Sequence, residues 1–195
     1  MSKRIMFVGP SGIGKTTLAQ YVAKSQNIPF ISGSMSDLLP ATKDISHNEL
    51  LSLGSKSMQS SDYQLLSLRN RLFRGKEEFV TDRSYADLAA YFWYKQSRTI
   101  PECELEHFIG CCRASMEDQC DLAIFLPLNL CNYSDWEMED NKKRITNRFF
   151  QIQMSSLMGE LLADWEISTL CLPSLDLEER KDQIDYHINR IWGKK

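Results

Sequence analysis

A glycine-rich turn between a short apolar run and a helical pattern constrains this chain more than any other feature. The run IMFV leads into GPSGIGKTT, residues 9–17, and LAQYVAKSQ follows. Gly9, Gly14, Lys15 and Thr16 fit G-x-x-x-x-G-K-[ST], in which glycines let successive backbone N–H groups converge on phosphate oxygens. With a strand before it and a helix after it, such a turn is predicted to hold a nucleoside triphosphate.

Within this turn, different residues are expected to bind ATP and Mg²⁺. Lys15 can reach the β- and γ-phosphates, and the hydroxyl of Thr16 can bind Mg²⁺. The helix that begins near Thr16 adds its positive N-terminal end. An ordinary strand-to-helix turn is the alternative, but such a turn does not require Lys-Thr. The predicted nucleotide-binding segment consists of Gly12, Ile13, Gly14, Lys15, Thr16 and Thr17.

Five short apolar runs predict a parallel sheet. They are mostly unbroken rather than alternating, which is typical of strands buried on both faces. Helical patterns lie between them, so we predict a three-layer α/β fold in a single domain, residues 1–195, with ligands at the carboxyl edge of the sheet. The runs are Arg4–Val8, Ile28–Ser32, Glu78–Thr81, Leu122–Leu126 and Ser168–Leu172.

Composition narrows the class of protein. The chain has 195 residues, of which 43% are hydrophobic and 25% charged, as is usual for a soluble globular domain. No apolar run approaches the roughly 20 residues of a membrane span, and the first residues do not form a signal peptide. We therefore expect a cytoplasmic protein with reduced cysteines and no membrane partner. The net charge of −3 gives no global attraction to nucleic acid, and the oligomeric state stays open, a homodimer included.

The chemistry also needs a carboxylate at the carboxyl edge, either for Mg²⁺ or for the attacking group. The fourth run has Asp121 at its start, the wrong edge, and ends in Pro-Leu-Asn without a Walker B aspartate. The third run is followed by Asp82 and Arg83. We predict Asp82 as the catalytic and Mg²⁺-binding acid and Arg83 as a cation for phosphate. Asp82 as the cap of the following helix is the alternative, and both roles are compatible.

A resemblance extends this prediction. TDRSYADLAAY, residues 81–91, resembles the D-R-Y-x-x-S-x-x-A-Y signature of thymidylate kinases and is similar to the E-R-S motif of deoxyribonucleoside kinases. The resemblance implies a P-loop kinase fold with sheet order 2-3-1-4-5, ATP on the glycine turn and the acceptor across Asp82, Arg83 and the next helix. Ser84 and Asp87 replace the tyrosine and serine of thymidylate kinases, which puts thymidylate in doubt as substrate. The pattern also looks like small P-loop kinases of bacterial viruses, some of which phosphorylate modified bases in DNA.

Further residues are candidates for binding the acceptor. Ser84, Asp87 and Tyr91 are spaced to form one helical stripe that could hydrogen-bond and stack a base, or a plain surface stripe. Asp37 follows the second run, where deoxyribonucleoside kinases have the acid that acts as base on the acceptor hydroxyl; a helix cap is the alternative. Arg69 lies in the region where thymidylate kinases carry a phosphate-binding arginine.

Two basic clusters are expected near the carboxyl edge of the sheet. The cluster at residues 142–148 follows the acidic DWEMEDN segment, in the region where nucleotide kinases have a lid. We therefore predict a lid at about residues 131–147, with Arg144 and Arg148 as catalytic arginines. For both clusters a solvated helix face is the alternative. The serine-rich segment at about residues 33–62 predicts a substrate-side insert or a surface loop. The clusters are Arg69, Arg71, Arg74 and Lys76, and Lys142, Lys143, Arg144 and Arg148.

A third set, Cys103, His107 and Cys111, has helical spacing. It could bind zinc, although buried free thiols are the commoner outcome.

Together these features predict an ATP-dependent kinase that transfers the γ-phosphate to a small-molecule nucleoside or nucleoside monophosphate. One alternative keeps DNA as the acceptor, through the hydroxymethyl group of a modified pyrimidine such as 5-hydroxymethyluracil. The other is a nucleotide-binding ATPase without kinase activity. The absence of an Asn-Lys-x-Asp motif argues against a guanine-nucleotide switch.

Overall fold

A computed structural model describes residues 2–33, 55–131 and 147–193. Its five strands form one sheet in the order β2-β3-β1-β4-β5, and every neighbouring pair is parallel. The order and the five strands agree with the sequence prediction, although β2, β4 and β5 are shorter than predicted. The strands are β1 (Lys3–Val8), β2 (Phe30–Ile31), β3 (Glu78–Thr81), β4 (Leu122–Phe125) and β5 (Thr169–Cys171).

Helices cover both faces of the sheet. Side chains of β1 point alternately to the two faces, so that Ile5 and Phe7 pack with α1 and α6, while Met6 and Val8 pack with α2 to α5. The result is the predicted three-layer arrangement. The helices of the described residues are α1 (Lys15–Gln26), α2 (Ser55–Phe73), α3 (Tyr85–Gln96), α4 (Glu102–Gln119), α5 (Arg148–Asp164) and α6 (Leu177–Trp192).

Parallel strands bring three loops to one edge of the sheet. Residues 9–17 follow β1, residues 32–33 follow β2, and residues 82–84 follow β3. Asp121 lies at the opposite edge, as predicted, where its carboxylate accepts hydrogen bonds from the backbone N–H and guanidinium of Arg4. The carboxyl edge is therefore where the candidate chemistry must be sought.

One predicted basic cluster does not lie where the sequence analysis placed it. Arg74 and Lys76 come between the end of α2 and the start of β3, so they lie at the amino edge of the sheet. Lys3 at the start of β1 donates its backbone N–H to Glu77 beside them. The prediction of one cluster at the carboxyl edge is wrong for these two residues and for Arg71, which lies in the last turn of α2. The reason is that α2 runs antiparallel to β3 and returns the chain to the amino edge.

Some predictions fall on residues that the structure does not describe. Asp37, Lys142, Lys143 and Arg144 are among these residues, as are most of the proposed insert and lid. The described end of the insert, residues 55–62, belongs to α2. Within the described ranges, no helix is both long enough and apolar enough to cross a membrane.

Candidate active site

The glycine-rich turn, residues 9–17, forms a loop between β1 and α1 and is called the phosphate loop below. Gly14 caps the N-terminus of α1 with a φ of 94°. Gly9 has a φ of 147°, and a Cβ added to it would lie 2.6 Å from the backbone oxygen of Leu126. These two positions need glycine for different reasons, Gly14 for its left-handed backbone and Gly9 also for its close approach to Leu126, the residue after β4.

Lys15 is folded into the phosphate loop. Its side chain is buried at 6% relative exposure, and the ammonium donates hydrogen bonds to the backbone oxygens of Gly9 and Pro10. The predicted phosphate-binding lysine therefore lies at the centre of the loop, where α1 begins.

Thr16 and Asp82, the two residues predicted to bind Mg²⁺, are in direct contact. The hydroxyl of Thr16 donates to Asp82 Oδ2 at 2.6 Å, and the backbone N–H of Gly33 lies 3.4 Å from Asp82 Oδ1. Asp82 is buried, and it is joined to both the loop after β1 and the loop after β2. Three neighbouring strand ends thus meet at one carboxylate.

Ser84, and not Asp82, caps α3. The Ser84 side chain accepts from the backbone N–H of Asp87, and Asp87 Oδ2 accepts from the backbone N–H of Ser84, which makes a complete capping box. Asp87 Oδ1 also accepts from Gly9 N at 3.3 Å. The capping alternative for Asp82 therefore does not apply, and Asp87 joins α3 to the phosphate loop.

Ser11 in the phosphate loop is held by two helices. Its hydroxyl lies 3.3 Å from the hydroxyl of Tyr91 on α3, and its backbone N–H donates to Gln151 Oε1 on α5 at 3.0 Å. Gln151 is fully buried. Two residues of the stripe predicted to contact a base, Asp87 and Tyr91, thus reach the phosphate loop, whereas Ser84 caps α3. Contact of the stripe with a base stays a prediction.

Arg69 and Arg83 bring two positive charges close to the same edge. Arg69 is buried on α2 and donates to the backbone oxygens of Ser84 and Gly33. Burial, and to a lesser extent the neighbouring charge of Arg83, lower its pKa, while Asp87 acts in the opposite direction. Arg83 is half-buried, and its Nε has no hydrogen-bond partner among the described residues. Arg69 therefore connects the two loops beside Asp82, in addition to any contact with phosphate.

Arg180, in the first turns of α6, reaches the phosphate loop from the other side of the sheet. Its Nη1 donates to the backbone oxygen of Ile13 at 2.9 Å. The side chain is buried, and burial lowers its pKa to about 10. Together with Asp87 and Gln151, Arg180 gives the phosphate loop a support from each of three helices.

The remaining predicted residues are not gathered at the site in the same way. Arg148 is exposed at the first turn of α5. Cys111 Sγ lies 3.7 Å from His107 Nε2 on the surface of α4, and no group of three or more possible metal ligands of the His, Cys, Asp or Glu type occurs in the described ranges. All six cysteines lie within those ranges and are free.

Gln151 and Arg180 were not identified by sequence reasoning. Neither belongs to a motif, and each is one polar residue on a helix far along the chain from the loop. The only sequence signal for either residue is its position on the inward face of an amphipathic helix. Gln151 shares that face with Ile152 and Met154, and Arg180 lies one turn before the buried Ile184. A polar residue on a buried helical face must find a partner, but the sequence does not say which.

A family model covers most of the chain and includes every described group of this site. It matches residues 4–180 and describes an AAA domain. The chain belongs to the AAA_28 family. The match spans the phosphate loop, Asp82, α3, α5 and Arg180. No curated protein matches this AAA_28 chain.

Solved structures of several kinases share the fold. Deoxyadenosine kinase from M. mycoides with bound dATP has a TM-score of 0.71 at 12% identity, covering 97% of this chain and 100% of that chain. Thymidylate kinase from Candida albicans has a TM-score of 0.71 at 18% identity, with coverages of 98% and 93%. Shikimate kinase from Acinetobacter baumannii in complex with shikimate has a TM-score of 0.62 at 13% identity, with coverages of 98% and 93%. At these identities the likeness establishes the P-loop kinase fold of this AAA_28 protein.

Proposed function

We propose that this AAA_28 protein is an ATP-dependent kinase that transfers the γ-phosphate to a nucleoside or nucleoside monophosphate. The observation that carries the proposal is the contact between Thr16 and Asp82, 2.6 Å apart at the carboxyl edge. It unites the phosphate loop with the acid of the TDRS segment, which the resemblance to nucleotide kinases assigns to the acceptor side. The carboxylate of Asp82 therefore lies at the edge of the sheet where the donor phosphates and an acceptor would meet.

The Thr16 and Asp82 oxygens fit a Mg²⁺ ion. An ionised carboxylate has no proton to donate, so the Thr16 hydroxyl is the donor to Asp82. The lone pairs of the Thr16 oxygen then remain available to bind a cation. Mg²⁺ commonly takes one or two protein oxygens and completes its shell with water and phosphate oxygens. When bound, the ion would neutralise charge on the β- and γ-phosphates. Both Asp82 oxygens already accept hydrogen bonds, which favours this metal-organising role for Asp82 over the role of general base.

Lys15, the loop backbone and Arg83 complete the donor side. Lys15 and the N–H groups at the start of α1 would bind the β- and γ-phosphates. The acceptor oxygen attacks the γ-phosphorus, its bond to phosphorus forms as the bond to the β-γ bridging oxygen breaks, and ADP leaves. The acceptor proton passes to a base, for which Asp37 is the sequence candidate. Arg83 and the lid arginines Arg144 and Arg148 would stabilise charge on the transferred group.

The choice of a small acceptor is supported by the surroundings of Asp82. Hydrogen bonds from Arg69 to the Ser84 and Gly33 carbonyls, and from the Gly33 N–H to Asp82, join the residues after β2 to those after β3. Tyr91 lies on the same helix and offers a ring that could stack on a base. A small nucleoside or nucleotide needs only one or two cations to balance its charge, and Arg83 can supply one. The presence of this half-buried cation beside Asp82 supports a mononucleotide over a DNA strand as the acceptor.

The test is transfer of label from [γ-³²P]ATP with Mg²⁺ to nucleosides, nucleoside monophosphates and an oligonucleotide containing 5-hydroxymethyluracil. The proposal expects label on a nucleoside or a nucleoside monophosphate. Asp82→Asn keeps the shape of the residue but removes its charge, so turnover should fall at least about a hundredfold. Asp182→Asn, an exposed change on α6, should leave turnover unchanged.

A non-kinase ATPase is the second candidate, because the family model describes an AAA domain. Against it, residues 126–131 after β4 contain no carboxylate. ATP hydrolysis at the same rate with and without every acceptor tested would favour the ATPase. Label found only on the oligonucleotide would favour a DNA-directed kinase.

A further inference from the structure

Arg180 presents a buried guanidinium to the phosphate loop, and the mechanism proposed above does not use it. The residue is 3% exposed. Its Nη1 bonds to the Ile13 carbonyl and would lie 3.8 Å from a Cβ placed on Gly14. The guanidinium therefore lies directly beside the backbone whose N–H groups are predicted to bind phosphate.

The charge of Arg180 is not balanced by the described part of the protein. Its Nε and Nη2 are buried without a hydrogen-bond partner there. None of the ion pairs among the described residues includes it. A buried cation without a counter-charge is expensive, and unpaired buried donors add to the cost.

Arg69 provides an internal comparison. It is buried to a similar extent and its Nε also has no partner among the described residues. However, both of its Nη groups donate to carbonyls, and the carboxylate of Asp87 favours its charged form. A spacer that only had to support Ile13 would need one donor, which a neutral glutamine could supply. Arg180 brings a full charge and two further donors to a position where a nucleotide would bring three phosphates.

We propose that Arg180 is a positioning residue for the nucleotide polyphosphate: it fixes the Ile13 carbonyl and supplies positive charge that the bound phosphates neutralise. Because the Ile13 carbonyl and the Gly14 N–H belong to one planar peptide group, holding this carbonyl also fixes the direction of that N–H, which is predicted to face phosphate. The attraction acts through the loop and grows with the number of phosphates on the ligand. The inference rests on the nucleotide-binding half of the proposed function, and not on transfer to an acceptor.

Calorimetric titration of the full chain, without any acceptor, tests the inference. The ligands are adenosine, AMP, ADP, ATP and inorganic tripolyphosphate, each with Mg²⁺. Arg180→Met should weaken ATP and tripolyphosphate binding about 10- to 100-fold, as expected for a lost charged hydrogen-bonding group. Binding of adenosine should change less than about twofold, and Arg180→Lys should recover part of the loss because it restores the charge.

Arg190→Met is the matched control, since Arg190 is exposed on the same helix, and it should bind every ligand like the wild type. An equal loss for adenosine and ATP, with Arg180→Lys no better than Arg180→Met, would show a packing role and overturn the inference. Wild-type affinity for ATP in Arg180→Met would also overturn the inference. If wild-type protein binds ATP but transfers phosphate to no acceptor, the kinase proposal fails and this inference stands; if it binds no phosphate ligand, both fail.

A second measurement covers the case in which Arg180→Met does not fold. In ¹⁵N-arginine-labelled wild-type protein, the buried Arg180 Nε–H should give its own resonance, identified by its absence in Arg180→Lys or by backbone-linked assignment. Adding tripolyphosphate should shift this resonance. An unchanged Arg180 resonance at saturating tripolyphosphate would overturn the inference.

Discussion

Gly9 and Gly14 show how two residues of one motif can be required for different physical reasons. Both have positive φ angles, but only Gly9 lies against backbone, 2.6 Å from the Leu126 oxygen when a Cβ is added. The nearest atom to a Cβ on Gly14 is the end of the Arg180 side chain at 3.8 Å, which is an ordinary contact.

Gly9→Ala should therefore destabilise the protein more than Gly14→Ala. Backbone strain costs about 1–3 kcal/mol at either position. Gly9→Ala adds a clash with the Leu126 carbonyl, which is relieved only if the phosphate loop and the backbone after β4 move apart. Thermal unfolding of the two variants beside the wild type gives the comparison. Equal unfolding temperatures in the two variants would mean that the contact between Gly9 and Leu126 is not restrictive.

Lys15 allows a test of the phosphate-binding role against a merely structural one. Lys15→Ala should reduce phosphoryl transfer at least about a hundredfold, since the site loses a charged donor to the transferring group. It also removes two hydrogen bonds of a charged group within the loop, so the free energy of unfolding should fall by no more than about 6 kcal/mol. Lys24→Ala, exposed on the same helix, should leave transfer unchanged; near-full activity in Lys15→Ala would contradict the kinase assignment.

At the scale of elements, the site is an arrangement of helices around one loop. The pairing of Thr16 with Asp82 follows from parallel strands, because their carboxyl ends must meet at one edge, and sequence reasoning could predict it. The contact of Gln151 with Ser11 depends on how α5 crosses the sheet. No local pattern encodes that crossing, so this part of the site could not be predicted.

Gln151→Leu tests the support that α5 gives to the loop. The change keeps the volume but removes the acceptor of the Ser11 N–H, and a buried unpaired donor costs about 1–3 kcal/mol. The midpoint of thermal unfolding should fall by roughly 2–12 °C, given the usual 2–4 °C per kcal/mol for a protein of this size, and the KM for ATP should rise. Gln153→Leu, exposed on the same helix, is the control. A rise in KM of the same size in both variants would show that the Ser11 contact has no special role.

For the whole molecule, the strand order was predictable because strand runs, the glycine turn and the TDRS segment are all local patterns. The position of the basic cluster at residues 69–76 was not predictable, because it depends on the direction in which α2 leads the chain back to β3. With Arg69 buried and Arg74 and Lys76 at the amino edge, the described residues lack the continuous basic track at the carboxyl edge that a DNA strand would need.

We therefore expect acceptor use to be confined to mononucleosides or mononucleotides. Their KM should depend weakly on salt, whereas each phosphate of a bound strand would add about −0.7 (single strand) or −0.9 (duplex) to the slope of log affinity against log salt. Phosphorylation assays at about 50 and 200 mM salt, with mononucleotides and with the hydroxymethylated oligonucleotide, measure this. Phosphorylation of the oligonucleotide, with steeply falling affinity, would reverse the expectation.

The three helical supports of the phosphate loop also set an order of events during synthesis of the protein. The partners of Gly9, Ser11 and Ile13 come 78, 140 and 167 residues later in the chain. A nascent chain can form β1 and α1 early, but it cannot complete the loop until α6 has left the ribosome. The ability to hold a polyphosphate should therefore appear late in translation, and nucleotide would stabilise only chains in which nearly all of the domain is present.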